Sequence, residues 1–167
     1  MLNKFLKISY ETKNLSNTEM PYSVGGHPAF AVDGLNNYAL GIPGNFHLLR
    51  HVLEGSYLSG ETEALDFMEY LSLKDELFSK DAIVLIKPPF KSICLEHKTK
   101  GPVLTMHSEN WEALGIWTKE GAPFICIEPW WGYADTINTS QELISKPGIH
   151  LLAPGKTENL SYLLALH

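Results

Sequence analysis

The stretch Lys91–Trp131, KSICLEHKTKGPVLTMHSENWEALGIWTKEGAPFICIEPWW, decides the fold. It holds four short runs in which apolar and polar residues alternate: Lys91–His97, Val103–His107, Ala113–Thr118 and Phe124–Glu128. Each is rich in β-branched or aromatic residues, and alternation of period two is the signature of a half-buried strand. The breaks between them are turn sequences, Lys100-Gly101-Pro102 and Gly121-Ala122-Pro123, which punctuate strands and do not extend helices. Working outward, the same pattern predicts strands at Lys4–Lys13, Met20–Val24 after the turn-rich Asn14–Thr18, Asn37–Gly41, Ala64–Leu73, Ala82–Lys87 and Leu160–Leu166. Pro88-Pro89 and Pro154-Gly155 supply further boundaries. Helical periodicity is nearly absent, and one helical turn is predicted at Gln141–Ser145 with Ser140 as its cap. About ten short strands at fairly regular spacing predict an all-β, antiparallel sandwich or barrel.

Length and composition agree with that class. A chain of 167 residues fits one domain, 1–167, at about 150 residues per domain, and neither a repeat nor a linker divides it. With 44% hydrophobic and 19% charged residues, the composition is that of a soluble globular protein and excludes a disordered or collagen-like chain. The longest purely apolar runs, such as Ile83–Ile86, fall far short of the ~20 residues of a membrane-spanning helix. Met1-Leu2-Asn3-Lys4 opens no apolar core of a secretory signal. The net charge of −6, from 13 basic and 19 acidic residues, includes no basic stripe, so nucleic acid is not an expected partner. Arg50 is the single arginine. Arginine is the preferred fork for phosphate and carboxylate, so its scarcity points to an uncharged substrate. Cys94 and Cys126 stand far apart in apolar alternating runs and read as buried, reduced thiols, with a cytoplasmic location following from that.

The common catalytic signatures are missing: no HExxH, CxxC, P-loop or GxSxG occurs. His47 and His51 are four apart but lack a third ligand nearby, and the sequons at Asn14, Asn138 and Asn159 carry no function without a secretory signal. Two segments stand out instead. In Gly25-Gly26-His27-Pro28-Ala29-Phe30 a strand ends, two glycines free the backbone and Pro28 stiffens the exit, which fixes one imidazole at a strand end. The plainer alternative is a turn histidine bonded to a neighbouring carbonyl. In Ile125-Cys126-Ile127-Glu128-Pro129-Trp130-Trp131 an apolar strand delivers a carboxylate among aromatic rings. Desolvation raises the pKa of such a group, as suits a general acid or base working near neutral pH. Flat indole faces also match the C–H faces of a pyranose ring. Here the alternative is that Trp130 and Trp131 are core while Glu128 pairs with Lys146. Asp81, just ahead of the apolar run Ala82–Lys87, is a third candidate, with turn solvation as its alternative.

These segments resemble the aldose 1-epimerase (galactose mutarotase) family, particularly its bacterial LacX-like branch. The resemblance rests on SVGGHPAF (23–30), ELFSKDAIVL (76–85), IEPWWGYAD (127–135) and SKPGIHLLAPGKTENLSY (145–162), and it extends from about residue 4 to the C-terminus. It implies a large antiparallel β-supersandwich and the interconversion of sugar anomers, with no cofactor and no metal. It assigns His27 as general acid, Glu128 as general base and Asp81 as a ligand of a substrate hydroxyl. Trp130 and Trp131 then form an apolar wall for the sugar. Members are usually about twice as long, so the resemblance is to their C-terminal half, and the arginine and second histidine of their N-terminal half have no counterparts here. Three readings follow: a mutarotase of free hexoses, a hexose-6-phosphate mutarotase, or a non-catalytic carbohydrate-binding module. A small-molecule aldose is the expected partner in each. The missing half also predicts self-association or a complementing N-terminal chain, with Lys4–Lys13 as an edge strand lacking a neighbour on one side.

Overall fold

The computed structural model describes residues 4–167. Strands follow in the order β1 (Lys4–Lys13), β2 (Met20–Tyr22), β3 (Val24–Gly25), β4 (Ala29–Ala31), β5 (Tyr38–Glu54), β6 (Tyr57–Ser72), β7 (Ile83–Ile86), β8 (Ser92–His97), β9 (Gly101–His107), β10 (Ala113–Trp117), β11 (Phe124–Trp131), β12 (His150–Leu152) and β13 (Thr157–Leu166). The helical content among the described residues is three short 3-10 turns, and no helix there is long and apolar enough to cross a membrane. Eleven strands form one sheet in the order β1-β13-β9-β8-β5-β7-β10-β11-β3, with β6 joined to β5 and β4 to β11. Strands β2 and β12 make a separate pair. Every ladder is antiparallel.

The sheet is nearly closed on itself. Alternation explains how it can be. One face of each strand contributes to a single continuous core that includes Leu40, Phe67, Ile83, Leu85, Ile93, Leu95, Met106, Leu114, Ile116, Ile125, Ile127 and Trp131. On β8 the burial runs half-buried, buried, half-buried, buried across Ser92–His97, which is the period of two read directly from the chain. A smaller cluster on the opposite face gathers Leu58, Ala82 and Val84, with Trp117, Trp130 and Tyr133 packed against it. The candidate site is built on this second face.

Two expectations needed correction. Residues 42–63 carry no predicted strand, yet β5 and β6 form one long hairpin that continues through them around Gly55. Pro43, Gly44 and Gly60 interrupt the alternation there. The ladder absorbs the first two in a register shift between Gly41 and Asn45, the usual place for a proline or glycine in a strand. The extra length lets β5 change neighbours: Tyr38–Gly41 pairs with β8, while His51 pairs with Val84 of β7. The helical turn is also shorter than predicted, Leu143–Ser145, and Ser140 Oγ accepts the Glu142 N–H at 3.3 Å.

The first strand spans the residues expected, Lys4–Lys13. β1 pairs with β13 over its whole length, from Lys4 opposite Leu166 to Lys13 opposite Thr157. It ends the sheet, with no second partner among the described residues. Phe5 and Leu6 on it are 61% and 56% exposed. The turn that follows is fixed by Asn14, a fully buried side chain whose amide donates to the carbonyls of Thr18 and Leu152 at 2.8 and 2.7 Å. That sequon is therefore a structural lock.

Candidate active site

Residues 27 and 128 are 101 positions apart, and the backbone register brings them together. Gly25 of β3 lies opposite Trp130, and Ala29 of β4 lies opposite Cys126. β3 and β4 are thus two pieces of one line of chain along β11. Gly26 N–H donates to the Pro129 carbonyl at 2.9 Å and Ile127 N–H to the Pro28 carbonyl at 3.3 Å, so the register holds across the gap and sets His27 across from Glu128. Cross-strand neighbours of this kind have Cβ atoms about 4.5–5.5 Å apart. The side chains meet accordingly, with His27 Nδ1 at 3.4 Å from Glu128 Oε1.

The two partners differ in environment. The His27 side chain is 64% exposed and that of Glu128 only 6%. Burial pushes the Glu128 carboxyl above the usual carboxylate range, opposed by the His27 charge and a hydrogen bond from Trp130. Burial also pushes the neighbouring Cys126 thiol up to about 11, helped by the charge of Glu128. The His27 ring stands edge-on to Trp117, with centroids 6.4 Å apart.

Period two sorts the rest of β11. Cys126, Glu128 and Trp130 project to one face, and Ile125, Ile127 and Trp131 to the other. Trp130 is half-buried and lies along the site. A Cβ on Gly25 would stand 2.7 Å from its Cδ1 and one on Gly115 of β10 only 2.5 Å from its Cζ2, so both glycines leave room for the ring. Neither adopts a positive φ. The glycine pair before His27 thus makes space, for Trp130 at Gly25 and for Tyr10 and Tyr162 at Gly26, and does not supply unusual backbone angles.

Trp131 is a correction to the expected sugar wall. It is fully buried in the main core, edge-on to Tyr10, with its indole N–H donating to Asn110 Oδ1 at 3.3 Å. Alternation along β11 turns Trp130 to the hollow and Trp131 away from it. Nor does Glu128 pair with Lys146, whose ammonium donates to the Tyr133 carbonyl at 2.6 Å. Asp81 does reach the site. It lies at the mouth of β7 in the left-handed region, φ +68°, which aspartate tolerates better than most residues. Its Oδ1 accepts the Ala82 N–H at 2.7 Å.

Two adjoining hollows share His27, Glu128 and Trp130. One, of about 220 Å³, is completed by Asp81, Ala82 and Trp117. The other, of about 480 Å³, runs past Ser23–Gly26 and Gly132–Ala134. Neither lining includes a lysine or an arginine. Arg50 is buried elsewhere, donating to the Leu77 carbonyl at 2.8 Å.

Residues 2–165 match the family model described as aldose 1-epimerase. The chain belongs to the aldose 1-epimerase family. It is 30% identical over 174 residues to the chromosomal protein LacX of Lactococcus lactis subsp. lactis, a match covering 95% of this chain and 57% of that one. Its fold superposes on a galactose mutarotase related enzyme from Lactobacillus acidophilus with a TM-score of 0.91 at 24% identity, over 100% of this chain and 59% of the other. A galactose mutarotase-like protein from Lactobacillus casei ATCC 334 gives 0.86 at 26% identity, over 96% and 58%. The antiparallel β-supersandwich is therefore the fold of this family member, and the chain spans somewhat over half the length of these relatives.

The sequence reading of this epimerase-family chain missed Trp117 and the way Trp130 is seated. A signal was present in Ala113-Leu114-Gly115-Ile116-Trp117. Alternation sets Ala113, Gly115 and Trp117 on one face, and a glycine inside a strand marks a close approach by a neighbour. Its neighbour could not be named without the pairing of Gly115 with Glu128.

Proposed function

We propose that this chain interconverts the α and β anomers of a free hexose by acid–base catalysed opening and closing of the ring. The observation that carries the reading is the contact at 3.4 Å between an exposed imidazole and a buried carboxylate in one hollow. The raised pKa of Glu128 makes its ionised form a stronger base than a solvated carboxylate. Glu128 takes the proton of the C1 hydroxyl while protonated His27 gives one to the ring oxygen. The bond between C1 and the ring oxygen breaks, leaving the open-chain aldehyde. Rotation about C1–C2 presents the other face of the carbonyl. Reclosure returns both protons, with the two side chains in reversed roles. The C1 hydroxyl oxygen and the ring oxygen share one carbon, so an acid and a base in near contact can serve both.

Asp81 holds a sugar hydroxyl through its Oδ2, and the indole of Trp130 lies against the C–H face of the ring. Linings without lysine or arginine support an uncharged hexose over a hexose 6-phosphate, since a phosphate calls for a cationic fork. Polarimetry of freshly dissolved α-D-galactose and α-D-glucose tests the proposal. Glu128→Gln and His27→Asn should each lower kcat by at least about 10²-fold. Saturable sugar binding with an unchanged rate of equilibration overturns it in favour of a binding module.

A further inference from the structure

We propose that His27, Cys126 and Glu128 form a binding site for one divalent cation of the zinc class. Three different ligand types converge here, with Nδ1 or Nε2 of His27, Sγ of Cys126 and a carboxylate oxygen of Glu128 all within 4.8 Å of one another. The strand sets this convergence, because Cys126 and Glu128 are two apart on β11 and share a face, while the register of β3 and β4 brings His27 across to them. A tetrahedral zinc ion with bonds of about 2.0–2.3 Å separates its ligands by roughly 3.3–3.8 Å. The His27–Glu128 distance of 3.4 Å already meets that spacing. The Cys126 thiol completes the set within the 4.8 Å that spans all three ligand atoms.

The donor set chooses the metal. Thiolate with imidazole suits zinc and its neighbours, whereas magnesium and calcium take oxygen ligands. Charge favours occupancy as well. A dication with one thiolate and one carboxylate leaves the site neutral, and it gives the buried carboxylate a partner that water no longer supplies. The ion displaces the thiol proton on binding. Three protein ligands leave a fourth position facing the hollow, the arrangement of an open zinc site. An ion held there occupies the same imidazole and carboxylate that bind the sugar in the reading above, although the metal site stands on its own geometry.

Titration of the full, chelator-stripped chain with Co²⁺ tests this without reference to activity. One equivalent should bind, with a thiolate-to-cobalt absorption in the near ultraviolet that Zn²⁺ abolishes by displacement. Cys126→Ser should remove that band. His27→Asn, at an exposed side chain that the fold does not need, should weaken Co²⁺ binding by at least about 10-fold, and it carries the test if Cys126→Ser misfolds. Cys94→Ser should leave both unchanged. Absence of the band in the wild-type chain at saturation, its survival in Cys126→Ser or its loss in Cys94→Ser would overturn the site.

Discussion

Gly115→Ala tests the seating of Trp130 in a way that can change sign. Gly115 has no positive φ, so alanine suits its backbone, and a change of this kind at an unhindered position stabilises by about 0.4–1 kcal/mol. Here the new methyl would stand 2.5 Å from Trp130 Cζ2 and 2.6 Å from Cη2. Ordinary contact begins near 3.4 Å, so the indole must move by roughly 1 Å. The ring borders the hollow on its open side, so the displacement carries it toward that space. Overpacking of this order costs about 1–3 kcal/mol, which for a chain of this size lowers Tm by about 2–12 °C. In a Trp130→Ala background the obstacle is gone, and Gly115→Ala should raise stability by the ordinary glycine-to-alanine increment. Denaturant unfolding of the four proteins in a double-mutant cycle reads the difference. Equal effects of Gly115→Ala in both backgrounds would refute the packing argument.

Two further outcomes follow from the same structure. The raised pKa of Glu128 means that the native state holds its proton more tightly than the unfolded chain does, so this group's contribution to stability falls as pH rises through the carboxylate range. Glu128→Gln should therefore gain Tm over wild type at pH 7 relative to pH 4, and a difference that shrinks as pH rises contradicts the desolvated carboxylate. The open edge of β1, with Phe5 and Leu6 exposed, should make the isolated chain self-associate with rising concentration in light scattering. Phe5→Lys with Leu6→Lys should suppress this, as edge lysines do in other sheets, and a wild-type chain that stays monomeric throughout removes the edge from the account.

The sequence discloses most of the fold because period two survives wherever strands are short and bounded by glycine or proline, as across Lys91–Trp131. It fails at residues 42–63, where Pro43, Gly44 and Gly60 are bulge residues inside a hairpin and look like its ends. At the site, His27 and Asp81 are legible as residues beside strand ends and Glu128 as a carboxylate carried by an apolar strand, which runs on past it to Trp131 and does not end there as expected; the family resemblance selects all three. Their meeting is not legible, because it depends on β3 and β4 keeping one register along β11. The Trp130-Trp131 pair shows both limits. Composition offers two aromatic rings for a sugar, and only the alternation of β11 assigns one to the hollow and the other to the core. Cys126 reads as an inert buried thiol until that same alternation turns it toward Glu128.

The central claim is that His27 and Glu128 together open and close a hexose ring. Magnetisation-exchange NMR on an equilibrated aldose labelled at C1 measures this directly, because it reports the rate at which one anomeric signal feeds the other. The account predicts exchange between the α and β signals in proportion to added protein, and a loss of about 10²-fold or more of that rate in Glu128→Gln and in His27→Asn. Exchange no faster than in buffer, or a wild-type rate in either variant, would contradict it.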